Sequence, residues 1–221
     1  MPLQIGGIDL YLSRVFLDPG KRETMRLLSS PEYLHGAVER SFFGGRQRRL
    51  WRVDVLHGNT CLMVLSPDEP DFTQMIAQYG VAGQTPPWES RLYKPFLERL
   101  KEGQLWQFRL KANPVRSVKE AEGRGKVMAH VTPEQQKEWL QKRSESCGFA
   151  LTPDSFEVVH TQWQRFQKSH GHQVTLRTAT FEGWLTIRNA VKLQRALMEG
   201  IGRAKAYGCG LLTLARGQNH G

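Results

Sequence analysis

From Ile8 to Ala215 the chain alternates strand and helix patterns in one order, strand–helix–strand–strand–helix–strand, and then runs through that order again. Few folds accept such a succession. The first half opens with Ile8 to Leu17, apolar on both faces as a buried strand requires. A helix follows, with Ser30 at its N-cap and Pro31 at its first position, running through Ala37 and Val38 to Phe43 before Gly44-Gly45. Trp51, Val53 and Val55 alternate with Arg52 and Asp54 in a second strand, and Cys61 to Leu65 form a third. Asp71 to Tyr79 is a short helix, and Arg91 to Phe96 the closing strand.

Gly80 to Glu89, holding Gly83, Pro86 and Pro87, is a loop rather than a flexible linker. The second half restarts at Gln104. There Trp106, Phe108, Leu110 and Ala112 alternate with Gln107, Arg109 and Lys111, giving one greasy and one basic face. Thr132-Pro-Glu-Gln135 is a capping box that opens a helix reaching Gly148. Phe156 to Phe166 and Val174 to Ile187 are two long strands joined by Gln167 to Gln173. A helix with Asn189 at its N-cap ends at Gly200, and Cys209 to Ala215 is the final strand. The order is that of the ferredoxin-like βαββαβ unit. The expected fold is therefore α+β, with two such units in tandem over residues 1–100 and 103–217 of the 221. No sequence repeat accompanies this duplication, which rests on element order alone.

Thirty-one Lys and Arg against 21 Asp and Glu leave a net charge of +10, which calls for a polyanionic partner. Cys61, Cys147 and Cys209 are scattered, without metal-ligand spacing, as in a reducing cytoplasm. No apolar run reaches membrane-span length. The opening Met-Pro-Leu-Gln lacks the basic-then-apolar pattern of a signal peptide.

The segment from Gly200 to Leu212 holds Gly200, Gly202, Gly208 and Gly210 together with Arg203 and Lys205. It reads either as a phosphate-facing loop or as a tight structural corner, and glycines after helices favour the corner. Nucleotide loops of the Walker and Rossmann kind precede a helix, whereas this one follows a helix C-terminus, whose partial charge is negative. That position argues against a nucleoside triphosphate site and against a small-molecule phosphate enzyme.

This glycine-rich segment resembles that of repeat-associated CRISPR proteins. Three further blocks, Phe108-Arg-Leu-Lys-Ala-Asn-Pro114, Phe181-Glu-Gly-Trp-Leu-Thr-Ile187 and Pro31-Glu-Tyr-Leu-His35, resemble the CasE family of repeat-RNA processing endoribonucleases from type I-E CRISPR systems. All four stand in the family's order. The resemblance implies two tandem ferredoxin-like domains, a stem-loop RNA substrate cut without metal or other cofactor at the base of its stem, and retention of the product within the Cascade complex. RNA brings its own nucleophile, the 2′-hydroxyl. A positioned histidine, a second proton carrier and a cation then suffice, giving a 2′,3′-cyclic phosphate and a 5′-hydroxyl.

His35 matches the family's catalytic histidine. Tyr33 stands two residues before it, where a regular helix turns it to nearly the opposite side at about 100° per residue, so Tyr33 assists only from an irregular turn. Glu32 is the alternative second group, and Arg40 is the candidate phosphate cation. Arg46 to Arg49 is a backbone-contacting or solvated patch. RNA contacts are expected from Lys111, Arg116 and Lys119, with Arg124 and Lys126 extending that stretch. Others are expected from Arg165 and Lys168 in the long hairpin, and from Arg203 and Lys205 in the glycine loop. His170 and His172 lack a carboxylate or cysteine at ligand spacing, so no metal is expected there. The competing reading is a non-catalytic RNA-binding subunit on the same fold.

Overall fold

The computed structural model describes residues 9–45, 47–118, 126–168 and 171–216. Ile8, Arg46, Lys119, Arg124 and His170 lie outside them. In the first half β1 (Tyr11–Leu17), β2 (Leu50–Leu56), β3 (Asn59–Ser66) and β4 (Trp88–Leu92) pair antiparallel in the order β2-β3-β1-β4. Helices α1 (Arg22–Leu28), α2 (Pro31–Glu39) and α3 (Thr73–Tyr79) connect them, and α4 (Lys94–Leu97) leads out.

The second half contributes β5 (Leu105–Ala112), the small hairpin β6 (Val115–Val118) and β7 (Lys126–Ala129), and α5 (Pro133–Ser144). It continues with β8 (Phe149–Ala150), β9 (Phe156–Gln167), β10 (Gln173–Ile187), α6 (Ala190–Glu199) and β11 (Leu212–Ala215). Its sheet runs β11-β5-β10, with both β9 and β8 on the far edge of β10. Each sheet thus has its fourth strand beside the first, then the third, then the second. The chain is α+β, with two ferredoxin-like units in tandem.

Local chemistry accounts for most boundaries. Thr132 Oγ1 accepts from the Gln135 amide at 3.4 Å, and Gln135 Oε1 accepts in return from the Thr132 amide, which opens α5. Asn189 Oδ1 accepts from the Lys192 amide at 2.9 Å at the start of α6. Three readings are corrected. The fourth strand lies at Trp88–Leu92 instead of Arg91–Phe96, because Lys94-Pro95 starts α4 and proline cannot extend a ladder. The last strand begins at Leu212, since Gly208 and Gly210 hold left-handed backbone ahead of it. Helix α2 ends at Glu39, short of Phe43.

Two apolar clusters form the core. One lies within the first half and includes Val15, Leu34, Val38, Leu62, Val64 and Phe72. The larger surrounds Leu110, Phe181, Leu185, Leu193 and Leu197 of the second half, and it also takes in Leu50, Leu65, Tyr93 and Leu97 from the first. The halves therefore share a core across a common seam. Arg52, only 2% exposed, crosses that seam. Its Nε and Nη2 donate to the Asp54 carboxylate, and its Nη1 donates to the backbone oxygens of Arg109 at 2.9 Å and Leu211 at 2.7 Å. Arg109 reaches the same carboxylate at 3.2 Å and Glu182 at 2.9 Å.

Candidate active site

Helix α2 starts at Pro31 and packs its far side against β9 and against a 3-10 turn, Lys205–Tyr207, in the glycine-rich segment. His35 lies half-buried on this side. Its imidazole meets the edge of Tyr207, with ring centroids 6.5 Å apart. Tyr207 in turn leans on Phe166 at 4.7 Å, and the Lys168 ammonium stands 5.7 Å from its ring centre. A row of side chains thus runs from the first half's helix, through the glycine corner, to the second half's long hairpin. The hairpin turn is closed by the Lys168 amide donating to the His172 carbonyl at 2.9 Å.

Arg40, exposed at the C-cap of α2, folds back along the helix. Its Nη1 lies 3.4 Å from where a Cβ on Gly36 would stand, so the missing side chain leaves the guanidinium room over that residue. Tyr33 goes elsewhere. The first turn of α2 is regular, and Tyr33 is exposed with the Arg26 guanidinium 5.7 Å over its ring. The irregular turn that Tyr33 needs in order to assist His35 is absent.

The expected RNA contacts divide. Arg116 on β6, Arg165 and Lys168 at the end of β9, and Arg203 in the glycine corner are exposed. Lys111 is half-buried near Cys209, Asp54 and Arg52, and burial lowers the pKa of its ammonium group. Lys205 donates to the Glu199 carbonyl at 2.6 Å, neutralising the end of α6, and burial followed by nearby Arg48 lowers its pKa. Of these residues, Lys168 meets the His35–Tyr207 row, its ammonium over the Tyr207 ring.

Tyr207 is the residue that sequence reasoning missed. Its one visible signal was being the aromatic in the glycine-rich segment.

That segment is a packed corner. A Cβ on Gly208 would stand 2.6 Å from Trp51 of β2, and one on Gly202 would stand 3.0 Å from Trp139 of α5. The backbone φ of +75° at Gly208 is left-handed as well. Gly200 lies against Leu50, and Gly210 against the Ile201 carbonyl, whose residue it also bonds through the Ile201 amide. Gly208→Ala is expected to lower stability by about 2–4 kcal/mol through collision and backbone strain combined, read by urea unfolding. A loss below about 0.5 kcal/mol would mean that the corner gives way freely.

The fold and site define a tandem ferredoxin-like protein with a histidine, on a helix of the first half, packed against the glycine corner and long hairpin of the second, near the exposed Lys168. The family model described as "CRISPR associated protein" matches residues 10–216, and the chain belongs to that family, among its CasE, type I-E, members. It is 31% identical over 223 residues to the CRISPR-associated endoribonuclease Cse3 of Thermus thermophilus, spanning 93% of this chain and all of that one. It is 34% identical over 116 residues to the Cascade subunit CasE of Escherichia coli, spanning 49% of this chain and 56% of the other. The Thermus thermophilus Cse3 structure bound to an RNA representing a pre-cleavage complex superposes with a TM-score of 0.76 at 27% identity, covering 94% of this chain and 99% of that one. No helix among the described residues is long and apolar enough to cross a membrane.

Proposed function

We propose that this protein is the endoribonuclease that cuts CRISPR precursor RNA at the base of the repeat stem-loop and stays with its product, in the cytoplasm, among the other Cascade subunits. The observation that carries the reading is His35 held against Tyr207 at the seam, between a helix of one ferredoxin-like unit (residues 1–100) and the hairpin and glycine corner of the other (residues 103–217). The 2′-oxygen next to the scissile bond attacks phosphorus and gives its proton to a base as the P–O5′ bond breaks. The departing O5′ takes a proton, leaving a 2′,3′-cyclic phosphate and a 5′-hydroxyl. An imidazole titrates near neutrality and can serve either transfer. Arg40, at the C-cap of the helix that carries His35, and Lys168, over the Tyr207 ring, are assigned to steady the charge that gathers on the phosphate.

RNA supplies the nucleophile, so this route needs no metal. The test is cleavage of a repeat stem-loop RNA from the same genome in excess EDTA. Full activity with a cyclic-phosphate end is expected. Tight binding without cleavage, with or without magnesium, would instead make the chain a non-catalytic RNA-binding subunit.

A further inference from the structure

A histidine that moves protons must be held at one orientation. Commonly a hydrogen bond to one ring nitrogen fixes the imidazole while the other nitrogen meets the substrate. His35 lacks such a bond: among the described residues, neither of its ring nitrogens has a hydrogen-bond partner. Its backbone is well anchored, because Leu34, Ala37 and Val38 of α2 are buried in the core of the first half. The imidazole itself, half-buried at the helix surface, still has its side-chain torsions to settle.

What that ring touches is Tyr207. The two ring planes meet at 68°, with centroids 6.5 Å apart. Edge-to-face pairs at about 4.5–7 Å are an arrangement that the charge distribution of aromatic rings favours.

Tyr207 is firmly mounted in its turn. Its amide donates to the Ala204 carbonyl at 2.9 Å, and the 3-10 turn stands between two left-handed residues, Ala204 at φ +61° and Gly208 at φ +75°. A residue with a Cβ, such as Ala204, keeps that conformation only where its surroundings impose it, and such strain gathers at functional sites. Phe166 of β9 backs the Tyr207 ring at 4.7 Å, and Trp51 of β2 fills the space that a side chain on Gly208 would need. The ring against His35 therefore has a strand of each half behind it.

We propose that Tyr207 is a positioning residue for the cleavage reaction: its ring, rather than its hydroxyl, sets the orientation of the His35 imidazole. The proposal rests on the nuclease reading above. A ring contact leaves both nitrogens of His35 to the RNA, which a hydrogen bond from the protein would not. Histidine and ring come from different halves, so the imidazole is aimed only when the halves are docked.

The test compares full-length Tyr207→Phe, which keeps the ring, with Tyr207→Leu, which removes it. Three quantities are followed: the single-turnover rate on a repeat stem-loop RNA from the same genome, the affinity for that RNA with 2′-deoxyribose at the cut, and the His35 ring protons by NMR. The His35 signals are identified by their loss in His35→Ala. Tyr207→Phe is expected to cut within about twofold of the parent rate, and Tyr207→Leu about 10–100-fold more slowly with affinity held within about twofold. The His35 resonances should move in the Leu variant, as the ring current is lost, and stay in the Phe variant. If Tyr207→Leu fails to fold, Phe166→Leu removes the ring behind Tyr207 and should slow cleavage about threefold or more. A parent-like rate or unmoved His35 resonances in Tyr207→Leu would overturn the positioning role and leave the nuclease reading standing. A Phe variant as slow as the Leu variant would overturn it in favour of the hydroxyl, and an affinity loss that matched the rate loss would make Tyr207 an RNA contact instead. A parent protein that cut no RNA would overturn the nuclease reading itself.

Discussion

His35→Ala is expected to slow RNA cleavage by about 10²–10⁴-fold, the range over which a positioned acid–base group contributes, while RNA affinity stays within about twofold. The asymmetry follows from placement. His35 is half-buried and turned to Tyr207, and the exposed arginines and lysines suited to phosphate contact lie mostly on other elements. Single-turnover cleavage and a parallel binding titration of the uncleaved RNA separate the two quantities. Tyr33→Phe should leave the rate unchanged, because the Tyr33 ring faces Arg26 on the opposite side of α2. Near-normal cleavage by His35→Ala would move the chemistry away from the seam. An equal loss in the Tyr33 variant would mean that α2 rearranges when RNA binds.

Arg52→Ala is expected to cost about 3–5 kcal/mol, because it strands the buried Asp54 carboxylate. For a chain of this length each kcal/mol shifts the melting temperature by roughly 2–4 °C, so a drop of about 6–20 °C follows. Arg109 remains within 3.2 Å of Asp54 and sets the lower end of that range. Replacing the pair together, Arg52→Met with Asp54→Leu, removes the stranded charge and should recover most of the loss. It would still forfeit the hydrogen bonds to the Arg109 and Leu211 carbonyls and to Thr213. If Arg52→Ala melted like the parent protein, water would have to be entering the seam.

Most strands and helices were legible because hydrophobic period and caps are local. The ladder through Trp106, Phe108 and Leu110, the capping box at Thr132 and the cap at Asn189 all stand where the sequence places them. Contacts between the halves left no such trace. In β2 the alternation of Trp51, Val53 and Val55 with Arg52 and Asp54 reads as an apolar inside and a polar outside. Instead Arg52 and Asp54 are buried and Val55 is 63% exposed, because the polar face of that sheet meets the second half. The basic face assigned to β5 is affected likewise, its Arg109 and Lys111 turning toward Asp54. Helix α1 buries only Thr24 and Leu27, too few positions for a period to show. His35 is proposed through family resemblance rather than chemistry. Tyr207, its ring partner, was hidden because the two are joined only by folding.

The glycine corner gives Arg203 and Tyr207 a shared mount. It is clamped by Trp51 on one side and Trp139 on the other, so neither residue can shift along the chain independently of the other. A strand threaded past both would therefore meet two marks on one ruler, and the spacing between a phosphate on Arg203 and the ring of Tyr207 would be set by the protein rather than by the RNA.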